Sequence, residues 1–147
     1  MAKSKSSLRG LIFGTAVRDN RLFDLGTLIL RVVFGLSMAL GHGMGKLPAS
    51  EKFVEALREM GMPLPALMAW CAGLSEFVGG LCIALGLFTR PSAAFLGFTM
   101  SIALFVRHAA DPFKAKELAL LYFGFSLAMI FLGSGRLALD EYFRKRK

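Results

Sequence analysis

Four apolar runs constrain this chain more than any other feature. They cover residues 22–41, 64–87, 91–106 and 118–132. A helix needs about 20 apolar residues to cross a hydrocarbon core about 30 Å thick. Helices and closed barrels are the structures that can do so, because lipid offers no partners to free backbone groups. The first two runs reach that length. The last two fall short at a rise of about 1.5 Å per residue, so either their polar flanks enter the membrane or the bilayer thins around them. The expected fold is all-α, a four-helix transmembrane bundle. A hydrophobic content of 55% supports this, because soluble domains hold about 45–50%. The 147 residues suffice for one domain.

Local punctuation agrees with these boundaries. Pro63 and Pro65 open the second run, and Pro91 suits the first turn of the third. Gly133, Ser134 and Gly135 stop the fourth. Residues 48–62 repeat Phe53, Val54, Leu57 and Met60 at helical steps, with Glu51, Lys52, Glu55, Arg58 and Glu59 between them. That pattern predicts a short amphipathic interfacial helix between spans 1 and 2. Ser50 would cap it, and Gly61 would end it. Rows of small residues at four-residue steps (Ser37, Gly41, Gly45; Ala69, Gly73; Ala93, Gly97, Ser101) mark faces where helices could approach closely. Ala72 and Gly80 stand one step either side of Glu76 and would leave room for it.

The net charge of +8 raises the question of nucleic acid, but its distribution answers it. The basic residues flank the apolar runs and form no stripe interleaved with exposed aromatics, so no nucleic-acid partner is expected. The N-terminal segment, the turn at Arg90 and the C-terminal tail hold eleven Lys and Arg, against six on the other face. Positive charge accumulates on the cytoplasmic side. Both termini are therefore expected in the cytoplasm, in a multi-pass membrane protein. Residues 1–21 read as a basic N-terminal segment, 22–137 as the membrane domain and 138–147 as a basic tail. The apolar stretch 11–17 is short for a signal peptide, and the first span is expected to act as an uncleaved anchor. Cys71 and Cys82 lie about 16 Å apart along one helix, too far for a disulfide within the chain.

Two charges stand inside the apolar runs, Arg31 and Glu76. Each costs about 2.5–3.5 kcal/mol at mid-membrane depth. The less costly arrangement pairs them inside the bundle, so an Arg31–Glu76 contact is expected. Such a pair could carry a polar site, or it could serve only helix register. His42 and Lys46 follow the first run, four residues apart, and His42 is expected on the face of Arg31. His108 follows the third run, and Glu117 opens the fourth. An interior patch of Arg31, His42, Lys46, Glu76, His108 and Glu117 is the candidate ligand site. No metal site is expected, since no His, Cys or acid pair has a ligating spacing. There is no phosphate loop, attached-haem motif or nucleophile elbow. Motifs alone leave open whether the chain is an enzyme.

The order of motifs is more specific. The run HGMGK at residues 42–46 is followed by SEFVGG around Glu76, GLFTR at 86–90, FVRHAADPF at 105–113 and GSGRLALD at 133–140. This order resembles the DoxX family of small membrane proteins over about residues 25–140, departing at Ala138, where a Ser is common. The resemblance implies four membrane helices and a redox-linked role, because one relative is the membrane subunit of a thiosulfate:quinone oxidoreductase. It makes the six residues above candidates for a quinone headgroup or anion site. It also implies contact with sulfur compounds or with a membrane or soluble oxidoreductase partner. The alternatives are a permeation path for a small metabolite or ion, for which so short a chain would need to form a homodimer, and a structural scaffold in the bilayer.

Overall fold

The computed structural model describes residues 20–145. The basic N-terminal segment, with its apolar stretch 11–17, and the last two residues of the basic tail lie outside them. Helix α1 (Asn20–Met38) continues through a π turn (Ala39–Gly43) and a 3₁₀ turn (Met44–Lys46). Helix α2 (Glu51–Glu59) is the short amphipathic one. Helices α3 (Pro65–Leu85), α4 (Thr89–Ile102, prolonged by a π turn Ala103–Arg107) and α5 (Phe113–Leu132) follow, and α6 (Leu139–Lys145) closes the described chain. Four of these elements are long and apolar enough to cross a membrane: Arg21–Lys46, Pro65–Leu85, Thr89–Arg107 and Phe113–Leu132. No strand occurs among the described residues.

The third and fourth spans are longer than their apolar runs because their polar flanks join the helices, giving 19 and 20 residues. On α5 the residues Lys114, Lys116 and Glu117 form the first turns. On α4 the start moves back from Pro91 to Thr89 because Asp140 satisfies the first amides. Its carboxylate accepts from the Phe88 and Thr89 N–H groups at 2.8 and 3.1 Å, a favourable place for negative charge. Helix α2 begins at Ser50, whose hydroxyl accepts from Phe53 N–H. It buries Leu57 and leaves Glu51, Lys52, Glu55, Arg58 and Glu59 exposed.

Neighbouring helices pack antiparallel, α1 on α3, α3 on α4 and α4 on α5. Phe34 of α1 closes the ring, stacked on Phe125 and edge-on to Tyr122 of α5. The core between them holds Met38, Ile83, Leu96, Met100 and Met129. In lipid, helices associate mainly through close packing rather than expulsion of water. The α1–α3 seam shows this. Gly35 lies against the Gly80 carbonyl and the Ala84 amide, while Gly80 in turn lies against Ala39. A side chain on Gly43 would strike the backbone of Glu76 and Phe77.

This seam corrects the expected small-residue face of span 1. Gly41 and Gly45 have nothing within 4 Å, and the packed row is Gly35, Ala39 and Gly43. The π turn at Ala39–Gly43 takes up an extra residue and rotates the chain beyond it. Gly80 likewise leaves room for the α1 backbone rather than for the Glu76 side chain. The rows on α3 and α4 do lie at interfaces: Ala69 and Ala93 are fully buried, and Gly97 faces Ser126.

The glycines therefore separate into two classes with opposite expected effects. Gly80→Leu forces two backbones apart and should destabilise the bundle by about 1–3 kcal/mol or more. Gly124→Ala, at a helical position with nothing within 4 Å, should be neutral or stabilising by up to about 1 kcal/mol. Thermal unfolding in detergent, followed by circular dichroism, measures both.

Candidate functional site

The structure separates the two membrane charges. With Gly35 level with Gly80 and Gly43 level with Glu76, Arg31 lies about 18 Å from the level of Glu76 along α1. The expected Arg31–Glu76 pair does not form. The physical reason is register: the first span runs on past Gly41 to Lys46. This brings a lysine, not Arg31, opposite Glu76. The π turn also removes His42 from the face of Arg31.

Arg31 is fully buried near the terminal end of the bundle. Its Nη1 donates to the carbonyls of Ile83 and Ala84, each at 3.4 Å, and its Nη2 donates to Leu137 O at 2.6 Å. The first two lie in the last turn of α3, where the helix dipole favours a cation, and that of Ile83 also accepts from the Gly86 N–H at 3.0 Å. Gly86, at φ +69°, ends that helix, and any side chain there would strike the Arg31 guanidinium. The segment after α5 folds back over this corner. Asp140 N–H donates to Gly86 O at 2.9 Å. Arg136 reaches Asp24 through its amide at 2.8 Å and its Nε at 3.3 Å. The GLFTR and GSGRLALD motifs thus meet as a structural latch around Arg31.

The candidate site lies at the opposite end. Lys46 Nζ donates to both oxygens of Glu76, at 2.5 and 2.7 Å. Glu76 is 1% exposed, and Lys46 is about one-third exposed, at 33%. The Lys46 ammonium also sits 5.4 Å from the centre of the Phe53 ring, within cation–π range. An ammonium carries three donors, so one remains beyond the two given to Glu76. His108 pairs through Nδ1 with Asp111 at 2.7 Å, which leaves Nε2 for another partner. His42 stands edge-on to Tyr122, with ring centres 5.8 Å apart.

Two cavities meet at this ion pair. One, about 190 Å³, is bordered by His42, Tyr122, His108, Met38 and Met100. The other, about 290 Å³, lies between α2, α3 and α4 and is lined largely by apolar side chains, including Phe53, Met60, Met68 and Phe98. Lys46, Glu76, Ala103 and His108 line both. Of the six expected site residues, four converge here: His42, Lys46, Glu76 and His108. Arg31 belongs to the latch, and Glu117 is exposed on α5 and lines neither cavity.

Tyr122 and Asp111 at the candidate site, and Asp24 and Asp140 in the latch, are partners that sequence reasoning misses. Tyr122 reads as one more apolar helix residue until its neighbours are known, whereas Asp111, three residues after His108, is within reach of spacing arguments. Among the described residues, no group of three or more His, Cys, Asp or Glu converges as metal ligands would, and both cysteines are free.

The comparisons with known proteins agree with this architecture. The DoxX family profile matches residues 26–109. The chain belongs to the DoxX family. It is 31% identical to "Putative oxidoreductase CatD" of Bacillus subtilis (strain 168), over 87% of this chain and 94% of that one. It is 30% identical to "Inner membrane protein YqjF" of Escherichia coli (strain K12), over 86% of this chain and 98% of that one. It is 32% identical to "Inner membrane protein YphA" of the same organism, over 62% and 69% of the two chains. No solved structure shows significant similarity to it. This DoxX protein is thus a multi-pass membrane protein with a buried ion pair between two cavities.

Two outcomes are expected from the site's electrostatics. Lys46→Met leaves a carboxylate uncompensated in a buried position and should cost up to about 3 kcal/mol, the low end for breaking such a pair because Lys46 is partly exposed. Adding Glu76→Gln should recover most of that loss, as thermal unfolding of the three variants would show. The hydrogen bond from His108 holds the Asp111 carboxyl below its usual range; desolvation opposes this, and the positive charges of His108, Arg107 and Lys116 reinforce it. A depressed carboxylate pKa stabilises the fold above the unfolded value and ceases to do so as pH falls through the folded one. The stability difference between wild type and Asp111→Asn should therefore be fully present well above about pH 4 and be lost progressively as pH falls below it.

Proposed function

We propose that this protein is a redox-linked subunit of the bacterial inner membrane. In this reading it binds a quinone headgroup or sulfur anion at Lys46, Glu76 and His108, and it receives electrons from a partner oxidoreductase. The observation that carries the reading is the position of the buried Lys46–Glu76 pair as the shared wall of an apolar and a more polar cavity. Ligand sites are mostly apolar with a few converging polar groups, and a volume of about 300 Å³ is at their small end. The name of the Bacillus subtilis relative, which includes "oxidoreductase", supports the redox assignment. The names of the two Escherichia coli relatives support the inner membrane. The excess of Lys and Arg at the terminal face supports cytoplasmic termini, which would put the site at the periplasmic boundary.

The residues suit such a ligand. Lys46 has one ammonium N–H to give to a carbonyl or anionic oxygen, and Glu76 fixes the direction of that donor. His108, held by Asp111 through Nδ1, presents Nε2 as a further hydrogen-bonding atom. A bound quinone would supply two-electron, two-proton chemistry. A permeation path through a single chain has less support, because Arg31 and the packed core around Met38 and Ile83 fill the terminal half of the bundle.

The test is binding of a fully substituted decyl-benzoquinone, of thiosulfate and of sulfite to the purified protein. One charged hydrogen bond is worth about 1.5–3 kcal/mol, so Lys46→Met and Glu76→Gln should each weaken binding tenfold or more, and His108→Ala should weaken it as well. Affinity unchanged in all three variants, or no binding of any of these probes, would overturn the reading.

A further inference from the structure

The larger cavity has its exposed edge at a telling depth. Of its lining residues, Phe95, Phe98 and Arg107 are exposed, and all three belong to the α4 span. Phe98 is the middle residue of the span Thr89–Arg107, so its ring meets acyl chains rather than headgroups or water. Arg107 and His108 stand about 13–15 Å further along the same helix, at the boundary, whereas Glu76, next to Ser75 whose hydroxyl lies 2.7 Å from Thr99 Oγ1, walls the cavity level with Phe98. On the aqueous side α2 covers the chamber, with Phe53, Leu57 and Met60 turned into it and its charged face turned away. The chamber is therefore apolar over most of its lining, with its polar groups gathered at the Lys46–Glu76 pair on the inner wall and at Arg107 and His108.

We propose that this chamber is entered sideways from the bilayer, past Phe95 and Phe98. Its occupant is a membrane-dissolved amphiphile whose apolar body lies along α4 and whose oxygen-bearing end accepts the free N–H of Lys46. The inference rests on the reading of this cavity as the ligand site, and it names the class of ligand and its route. The polar groups of the chamber suit an acceptor oxygen: Lys46 and Arg107 are cations, and Glu76 is already paired with Lys46. A small water-borne anion would leave the apolar lining in contact with nothing. An apolar body covering that lining gains from its burial only if it is transferred from water. For a ligand already dissolved in lipid, the specificity must come from the oxygen at Lys46 and from fit to the chamber.

The chain carries its own reporter. Cys71 lines this chamber and Cys82 does not. In a Cys82→Ser background in lipid nanodiscs, Cys71 should react with N-phenylmaleimide at least tenfold faster than with a charged, membrane-impermeant methanethiosulfonate. The reciprocal Cys71→Ser protein, which reports on Cys82, gives the general preference of a membrane thiol for the apolar reagent. Ala56→Phe, which fills the chamber from α2, should slow Cys71 several-fold and leave Cys82 unchanged. A decyl-benzoquinone or decanoate at saturating concentration should do the same, whereas thiosulfate should not.

Equal reaction of Cys71 with both reagents, or reaction unaffected by Ala56→Phe and by both amphiphiles, would overturn the lateral route. Protection by thiosulfate alone would overturn it too, although the function proposed above would survive as an anion site. Protection by decanoate but not by the quinone would uphold the route and remove the quinone assignment.

Discussion

The close contact of α1 with α3 sets the arrangement of every charged group in this bundle. At Gly35, Gly80 and Gly43 the two backbones approach so nearly that no side chain can intervene. Contact of that kind admits one register, because a shift of a single residue would drive a side chain into the opposing helix. Once that register is set, Lys46 falls opposite Glu76, and Arg31 falls opposite the last carbonyls of α3. Packing of small residues, which is how helices associate without a hydrophobic driving force, thus decides which electrostatic partners are available.

The two ends of the bundle solve the cost of buried charge differently. At the terminal end the two Nη atoms of Arg31 donate to backbone carbonyls while its Nε has no partner among the described residues, and two aspartates bind the returning chain to neighbouring elements. Every strong interaction there is between protein groups, and the result is a latch. At the other end Glu76 takes two of the donors of Lys46, and His108 takes Asp111. One ammonium N–H and one ring nitrogen remain, and the space beside them is open. The first end is tied to the fold by contacts between protein groups, whereas the second presents an ammonium N–H and a ring nitrogen to two cavities that share Lys46, Glu76 and His108. This contrast is why the functional reading centres on Lys46, Glu76 and His108 and not on the more deeply buried arginine.

The motifs shared with the DoxX family divide along the same line. GLFTR and GSGRLALD build the latch: Gly86 gives way to the Arg31 guanidinium, and Asp140 caps α4. HGMGK, the glutamate of SEFVGG and the histidine of FVRHAADPF build the cavity walls. A resemblance read from residues alone treats all five motifs alike. The structure separates those that serve architecture from those that leave chemistry available. Four of the six expected site residues fall in the second group. Arg31 and Glu117 do not, one because its partners are backbone groups and the other because the first turn of α5 turns it outward.

Hydropathy by itself determined that the chain crosses a membrane as four helices with a short amphipathic helix after the first. Bilayer thickness and backbone hydrogen bonding leave few alternatives to long apolar runs. Sequence also marked Arg31 and Glu76 as groups that must be neutralised, since an ion left without partners in hydrocarbon is costly. Only the tertiary structure decided which partners neutralise them. That choice depends on the axial offset between helices and on the extra residue in the π turn at Ala39–Gly43. Both arise where backbones touch across distant parts of the chain, and no periodicity within a single helix encodes them.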